Sequence, residues 1–200
     1  MSNSRRLILS ILITATSALN GISQESTGKQ MTPSMSSDGV IVRRSAKPVG
    51  LEWKKYSPEE FGLALELPGE PSERNFPVPE QLQPDVLSAR VVYLTADDFY
   101  VAVVHIVLIK RPDLKWLAEE LKDGISHIDG FKNVAITLSP KPDKVLMRGT
   151  FTSFKGQVDL RSVLLGSGKE VWFVDVQTLR TKQDAAAFAA RIHDSVSIIR

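Results

Sequence analysis

The sequence predicts an α+β fold in which an antiparallel sheet carries helices on its faces, an α/β/α sandwich. Three observations predict it. A run rich in Val, Ile, Tyr and Phe from Ser88 to Ile109 reads as a β-hairpin whose second strand is apolar on both faces. A helical stripe follows at Leu114, Leu117, Leu121, Ile125 and Ile128. Four period-two segments then run from Val134 to Leu179, ahead of a last amphipathic helix.

In chain order, the first strand is expected over Leu51–Tyr56 and the second over Phe61–Leu67, where Phe61, Leu63, Leu65 and Leu67 alternate. Ser57-Pro58-Glu59-Glu60 is the turn between them, and Pro68-Gly69 ends the second. Five prolines between Pro68 and Pro84 predict a surface loop, because proline lacks the donor that helix and sheet interiors need. The hairpin strands Ser88–Thr95 and Phe99–Ile109 join through Ala96-Asp97-Asp98. A strand apolar on both faces belongs in mid-sheet with a layer on each side. Pro112 suits the first turn of the following helix, and Asp129-Gly130 stops it. Val134–Leu138, Lys144–Phe154, Gln157–Leu165 and Glu170–Leu179 predict a four-stranded antiparallel meander, with Lys155-Gly156 and Gly166-Ser167-Gly168 as turns. Thr181 to Asp184 opens the final helix in capping-box style, with Asp in the usual Glu position. Ala185, Phe188, Ala189 and Ile192 form its buried stripe, and Val196, Ile198 and Ile199 close the chain against the sheet.

The N-terminal quarter has another character. Met1–Arg6 is polar and ends in Arg5-Arg6, and an apolar run interrupted only by Ser, Thr and Ala extends from Leu7 to Leu19. These are the n- and h-regions of a secretory signal over residues 1–23, with small residues that suit cleavage after Ala18 or after Ser23. An uncleaved anchor fits poorly, because 13 helical residues span only about 20 Å of a hydrocarbon core about 30 Å thick. Residues 24–49 are rich in Ser, Thr, Gly and Gln, and are expected to form a disordered tether, since they offer too little apolar surface to offset ordering entropy. Residues 50–200 are expected to form a single domain, within the usual size range for one core. Cys is absent, which excludes disulfides, thiolate metal sites, a cysteine nucleophile and a lipidated cysteine.

The net charge of +2 divides unevenly. Residues 1–47 hold 6 of the 25 Lys and Arg but only 2 of the 23 acids, so residues 48–200 are slightly acidic. Basicity thus belongs to the leader and tether, and a nucleic-acid partner is not expected.

The opening Trp53-x-x-Tyr56, the segment Phe61-Gly62-Leu63-Ala64-Leu65-Glu66-Leu67-Pro68-Gly69-Glu70-Pro71 and the late strand Glu170–Val176 leading to a helix with Phe188 resemble the PsbP-like group of exported α/β/α proteins, including the DcrB-like periplasmic proteins. The similarity covers about residues 50–199. The resemblance implies the sandwich architecture and an accessory or binding role, and it implies no enzyme. Its motifs mark fold and not chemistry.

Catalytic signatures are missing from the sequence. His105, His127 and His193 have no ligand partner at i+2 or i+4, so no metal is implied, and no cofactor motif is present. Gly166-Ser167-Gly168-Lys169 lacks the spacing of a phosphate loop and joins two strands, so it reads as a hairpin turn. His105, on an apolar strand, is expected to be a hydrogen-bonded core residue.

Two groups remain as candidate sites. Trp116 falls nearly opposite the helix's core stripe, beside Glu120, and is a candidate partner contact, with packing on the proline-rich loop as the alternative. Arg148, Asp159, Arg161 and Asp175 on the late meander are either the floor of a polar pocket or, if Arg161 faces Asp175, a cross-strand charge ladder. The sequence therefore predicts an exported, periplasmic or extracellular, non-catalytic domain that binds an unknown protein or envelope component, with no membrane segment after signal cleavage. The alternative is an envelope enzyme or small-ligand carrier using the polar pocket.

Overall fold

The computed structural model describes residues 52–76, 78, 83–127, 131–138, 143–153 and 155–199. The signal, the tether, Ile128, Asp129-Gly130 and Phe154 lie outside the described residues.

The hydrophobic alternation of the middle and late sequence becomes a seven-stranded sheet. Its strands are β3 (Ser72–Phe76), β4 (Val86–Thr95), β5 (Phe99–Leu108), β6 (Phe131–Leu138), β7 (Lys144–Ser153), β8 (Gly156–Ser167) and β9 (Glu170–Leu179). Their spatial order is β3-β4-β5-β9-β8-β7-β6, and every neighbouring pair is antiparallel. The predicted hairpin and four-stranded meander are both present. The doubly apolar strand β5 sits inside the sheet between β4 and β9, as its composition requires.

Helix α1 (Leu114–Ser126) covers one face, burying Leu114, Leu117, Ala118, Leu121 and Ile125 against Val104, Ile106, Met147, Leu160, Leu164 and Phe173. Its start is fixed by Asp113, whose carboxylate accepts hydrogen bonds from the backbone N–H groups of Lys115 and Trp116. Pro112 therefore precedes the cap and is not in the first turn. Gly166 lets α1 come close, since a Cβ there would lie 2.9 Å from Leu114 Cδ1.

The opposite face is covered by α2 (Ala185–Ser195) and by a three-stranded sheet of β1 (Lys54–Tyr56), β2 (Leu63–Leu67) and β10 (Ser197–Ile198), in the order β1-β2-β10. Phe61, Leu63, Leu65, Leu67, Phe188, Ala189 and Ile192 pack there on Val101, Val103, Val163, Trp172, Val174 and Val176. Phe188 is the hub, with ring centroids 4.8 Å from Phe99 and 5.4 Å from Trp53. The layers are thus helix, sheet, then helix with small sheet.

Four local expectations are corrected. The proline-rich segment is not all loop, because Ser72–Phe76 forms the edge strand β3; Pro71 and Pro77 bracket it, so its own ladder donors are intact. Phe61 lies in a 3₁₀ turn (Glu59–Phe61) and not in β2, and Gly62 ends that turn at φ 58°. The last helix opens at Asp184, not Thr181, and Asp184 itself is left-handed with no side-chain cap bond. Ile199 is 40% exposed; its backbone N–H, not its side chain, ties the chain end to the Gly62 carbonyl.

Candidate functional site

The β7–β8 hairpin register runs from Ser153↔Gly156 to Lys144↔Leu165, which sets Arg148 directly opposite Arg161. Both share the side-chain parity of Leu146, Val163 and Leu165, so both stand on the α2 face of the sheet. Lys144, four residues before Arg148 on β7, stands on the same face. Like charges directly opposite each other on a sheet are destabilising. Among the described residues, no carboxylate lies within ion-pairing distance of these three cations.

They line an open cleft of about 150 Å³ between the sheet and α2, together with Leu146, Ala190, His193 and Asp194. That volume is about ten times the 10–15 Å³ needed for one water. The guanidinium of Arg161 reaches under the helix, with Nη1 3.5 Å from the Ala186 carbonyl oxygen. The two walls differ in chemistry. The strand wall carries the charged donors of Lys144, Arg148 and Arg161 beside Ser162, while the helix wall offers the Asp194 carboxylate at the C-terminal turn of α2, where the helix end adds its own partial negative charge.

His193 sits between the walls. Burial first, then the positive charges of Lys144 and Arg161, push its pKa down to about 4, against the opposing pull of Asp194 and a hydrogen bond to the Arg161 backbone. Its Nε2 is shut off from solvent and has no hydrogen-bond partner among the described residues. The imidazole is therefore neutral at pH 7.

The other two members of the predicted pocket lie elsewhere. Asp159 accepts a hydrogen bond from Arg180 Nε at 2.8 Å in a partly exposed ion pair. The β8–β9 register places Ser162, not Arg161, opposite Asp175, and Arg161 opposite Val176. That one-residue offset puts Asp175 on the α1 face, so the charge ladder does not form. Asp175 is fully buried, accepting hydrogen bonds from Ser162 Oγ at 2.7 Å and Gln177 Nε2 at 2.6 Å. Burial pushes its pKa up to about 6, and the two hydrogen bonds hold it back from going higher.

Trp116 and Glu120 are both half-buried, and Trp116 packs against the edge of the α1-side core, as does Val78 of the proline-rich segment. Trp116 is thus neither fully exposed nor fully buried. His105 is a buried, hydrogen-bonded core residue as expected: its ring stacks on Trp172 at 5.1 Å and its Nε2 lies 3.0 Å from Glu170 Oε2. The β8–β9 turn is at Gly168-Lys169, with Gly168 at φ 60°; Gly166 and Ser167, expected in the turn, are paired residues of β8, opposite Val171 and Glu170.

Sequence reasoning found Arg148 and Arg161 and missed Lys144, His193 and Asp194. A signal for Lys144 existed, since it shares the Arg148 parity on one strand. None existed for His193 and Asp194, which enter by the docking of a distant helix.

No protein-family model matches the chain, and no curated protein matches it. Solved structures similar to it include cyanobacterial PsbP from Synechocystis, of the group that the sequence resembles, with a TM-score of 0.49, 11% identity and coverage of 77% of this chain and 97% of that one. LpqN of Mycobacterium tuberculosis, involved in cell envelope biogenesis, is similar at a TM-score of 0.41 and 16% identity, covering 66% and 86%. The extracellular domain of PknH from the same organism is similar at 0.36 and 12%, covering 63% and 81%. Likeness at this level says nothing of ligand or partner.

Proposed function

We propose that this chain is an exported, non-catalytic binding domain that holds an anionic group in the cleft between α2 and the β7–β8 hairpin. The observation that carries this reading is the unneutralised Arg148–Arg161 pair facing across the hairpin with Lys144 beside it. An arrangement that costs stability in the empty protein is explained by a ligand that removes the repulsion, and guanidinium forks suit carboxylate and phosphate oxygens. A binding role is supported over catalysis by His193: its Nε2 is closed to solvent, and burial together with the neighbouring cations holds it neutral, so the cleft is arranged to hold charge and not to move protons. Export rests on the charged n-region and apolar h-region over residues 1–23, with residues 24–49 as the tether and 50–200 as the exported domain.

The test is a thermal-shift titration of the full-length protein with phosphate, sulfate and citrate at constant ionic strength. A saturable rise in melting temperature is expected with at least one anion, corresponding to about 2.7 kcal/mol at a hundred times its Kd. The Arg148→Gln/Arg161→Gln double variant should fold and lose the response. No saturable response to any anion, or an equal response in the double variant, removes the cleft from the account.

A further inference from the structure

Resting on the anion-cleft reading above, we infer that the cleft selects a phosphomonoester group in its singly protonated form, because the charged side chains of one wall donate hydrogen bonds and the carboxylate of the other accepts them. The strand wall carries Lys144, Arg148 and Arg161, which together present more N–H donors than a single carboxylate can use. The helix wall carries Asp194 at the negative end of α2. An anion that fills the space between them must satisfy both walls.

Sulfate cannot, since all its oxygens are acceptors near neutral pH and the one facing Asp194 meets like charge. A carboxylate offers two acceptor oxygens and no donor. A phosphomonoester has three non-bridging oxygens, and with a second pKa near 6 it carries a P–OH in about half its molecules at pH 6. The ionised oxygens face Lys144 and the two guanidinium groups, while the P–OH donates to Asp194. With His193 neutral, three cations against one carboxylate leave the cleft with an excess of two positive charges. Leu146 and Ala190 supply an apolar margin on which the carbon of an ester can rest.

A zwitterionic amino acid also combines acceptor and donor, but it brings one carboxylate to three cations and leaves part of the strand wall unsatisfied. The phosphate oxygens match that wall more fully. Either a soluble sugar phosphate or a lipid phosphate headgroup presents this chemistry.

The experiment is isothermal titration of the full-length protein at pH 6 and low salt with glycerol 3-phosphate, sulfate and glycine. Glycerol 3-phosphate should bind at least tenfold more tightly than sulfate or glycine. Asp194→Asn, a change at an exposed residue, should bring glycerol 3-phosphate and sulfate to within about threefold of each other. Co-sedimentation with phosphatidic-acid vesicles then separates the sources. Vesicle binding that glycerol 3-phosphate competes away supports the inference with a lipid headgroup as ligand; glycerol 3-phosphate binding without vesicle capture supports it with a soluble ester. Equal affinity for sulfate and glycerol 3-phosphate, with loss of both in Arg161→Gln, leaves the anion cleft standing and overturns the phosphomonoester. Tightest binding of glycine overturns it as well. Absence of binding by every anion overturns the cleft and the inference together.

Discussion

Asp175→Asn should raise the stability of this protein at neutral pH and leave it almost unchanged at pH 4. The carboxyl of Asp175 is enclosed within the α1-side core, and burial moves its pKa from 3.8 to about 6 in the folded protein. A difference of about two units corresponds to about 3 kcal/mol between the protonation states. Below pH 3.8 the group is protonated in both folded and unfolded chains, and the folded state bears no charge penalty. As the pH rises through about 6 the unfolded chain releases the proton more readily, so folding stability falls by about 3 kcal/mol and stays down at pH 8. Asparagine carries no charge at any pH, and after rotation of the Gln177 amide its oxygen and nitrogen can satisfy the same two neighbours.

The unsubstituted protein conceals this trend. His193 has its folded pKa pushed down to about 4, so its contribution is fully present above pH 6.5 and is lost as the pH falls through about 4, again by about 3 kcal/mol. His105, also lowered by burial against the pull of Glu170, acts in the same direction as His193. The measurable quantity is therefore the difference in unfolding free energy between Asp175→Asn and the parent protein, from urea denaturation at pH 4, 5, 6, 7 and 8. That difference should grow by about 3 kcal/mol across the series, or about 6–12 °C in melting temperature for a chain of this length. A difference constant to within about 0.5 kcal/mol would show that the carboxyl is hydrated in the folded state and would refute the reasoning.

Two further outcomes follow from the packing. Phe188→Ala removes the ring that joins Phe99, Trp53 and the α2 stripe, and should cost about 3–5 kcal/mol in denaturant titration; a loss below about 1 kcal/mol would mean that α2 does not anchor this face. Gly166→Ala places a methyl 2.9 Å from Leu114 Cδ1 and should destabilise by about 1–3 kcal/mol, with Leu114→Ala in the same chain relieving part of the cost if the clash is the cause.

The sheet was legible because its signals are local. The doubly apolar runs at β5 and β9, the turn at Gly168 and the Leu114 stripe each follow from backbone geometry within ten or so residues. β3 escaped because proline density over a window hides five consecutive residues with intact donors, and strand pairing with β4 is a non-local event.

The cleft was half legible for a related reason. A hairpin's turn fixes its register: the expected Lys155-Gly156 turn would set Arg148 opposite Val163, whereas the pairing of Ser153 with Gly156 sets it opposite Arg161. The β8–β9 turn at Gly168-Lys169 decides which face Asp175 takes, and a slip of one residue there separates a charge ladder from a buried carboxyl. Chain chemistry alone thus determined the strands, the helices and two of the cleft's cations. Only the tertiary structure decided that α2 would lay His193 and Asp194 over them, because helix docking is set by apolar burial at Phe188, Ala189 and Ile192, and the polar residues are carried along with it.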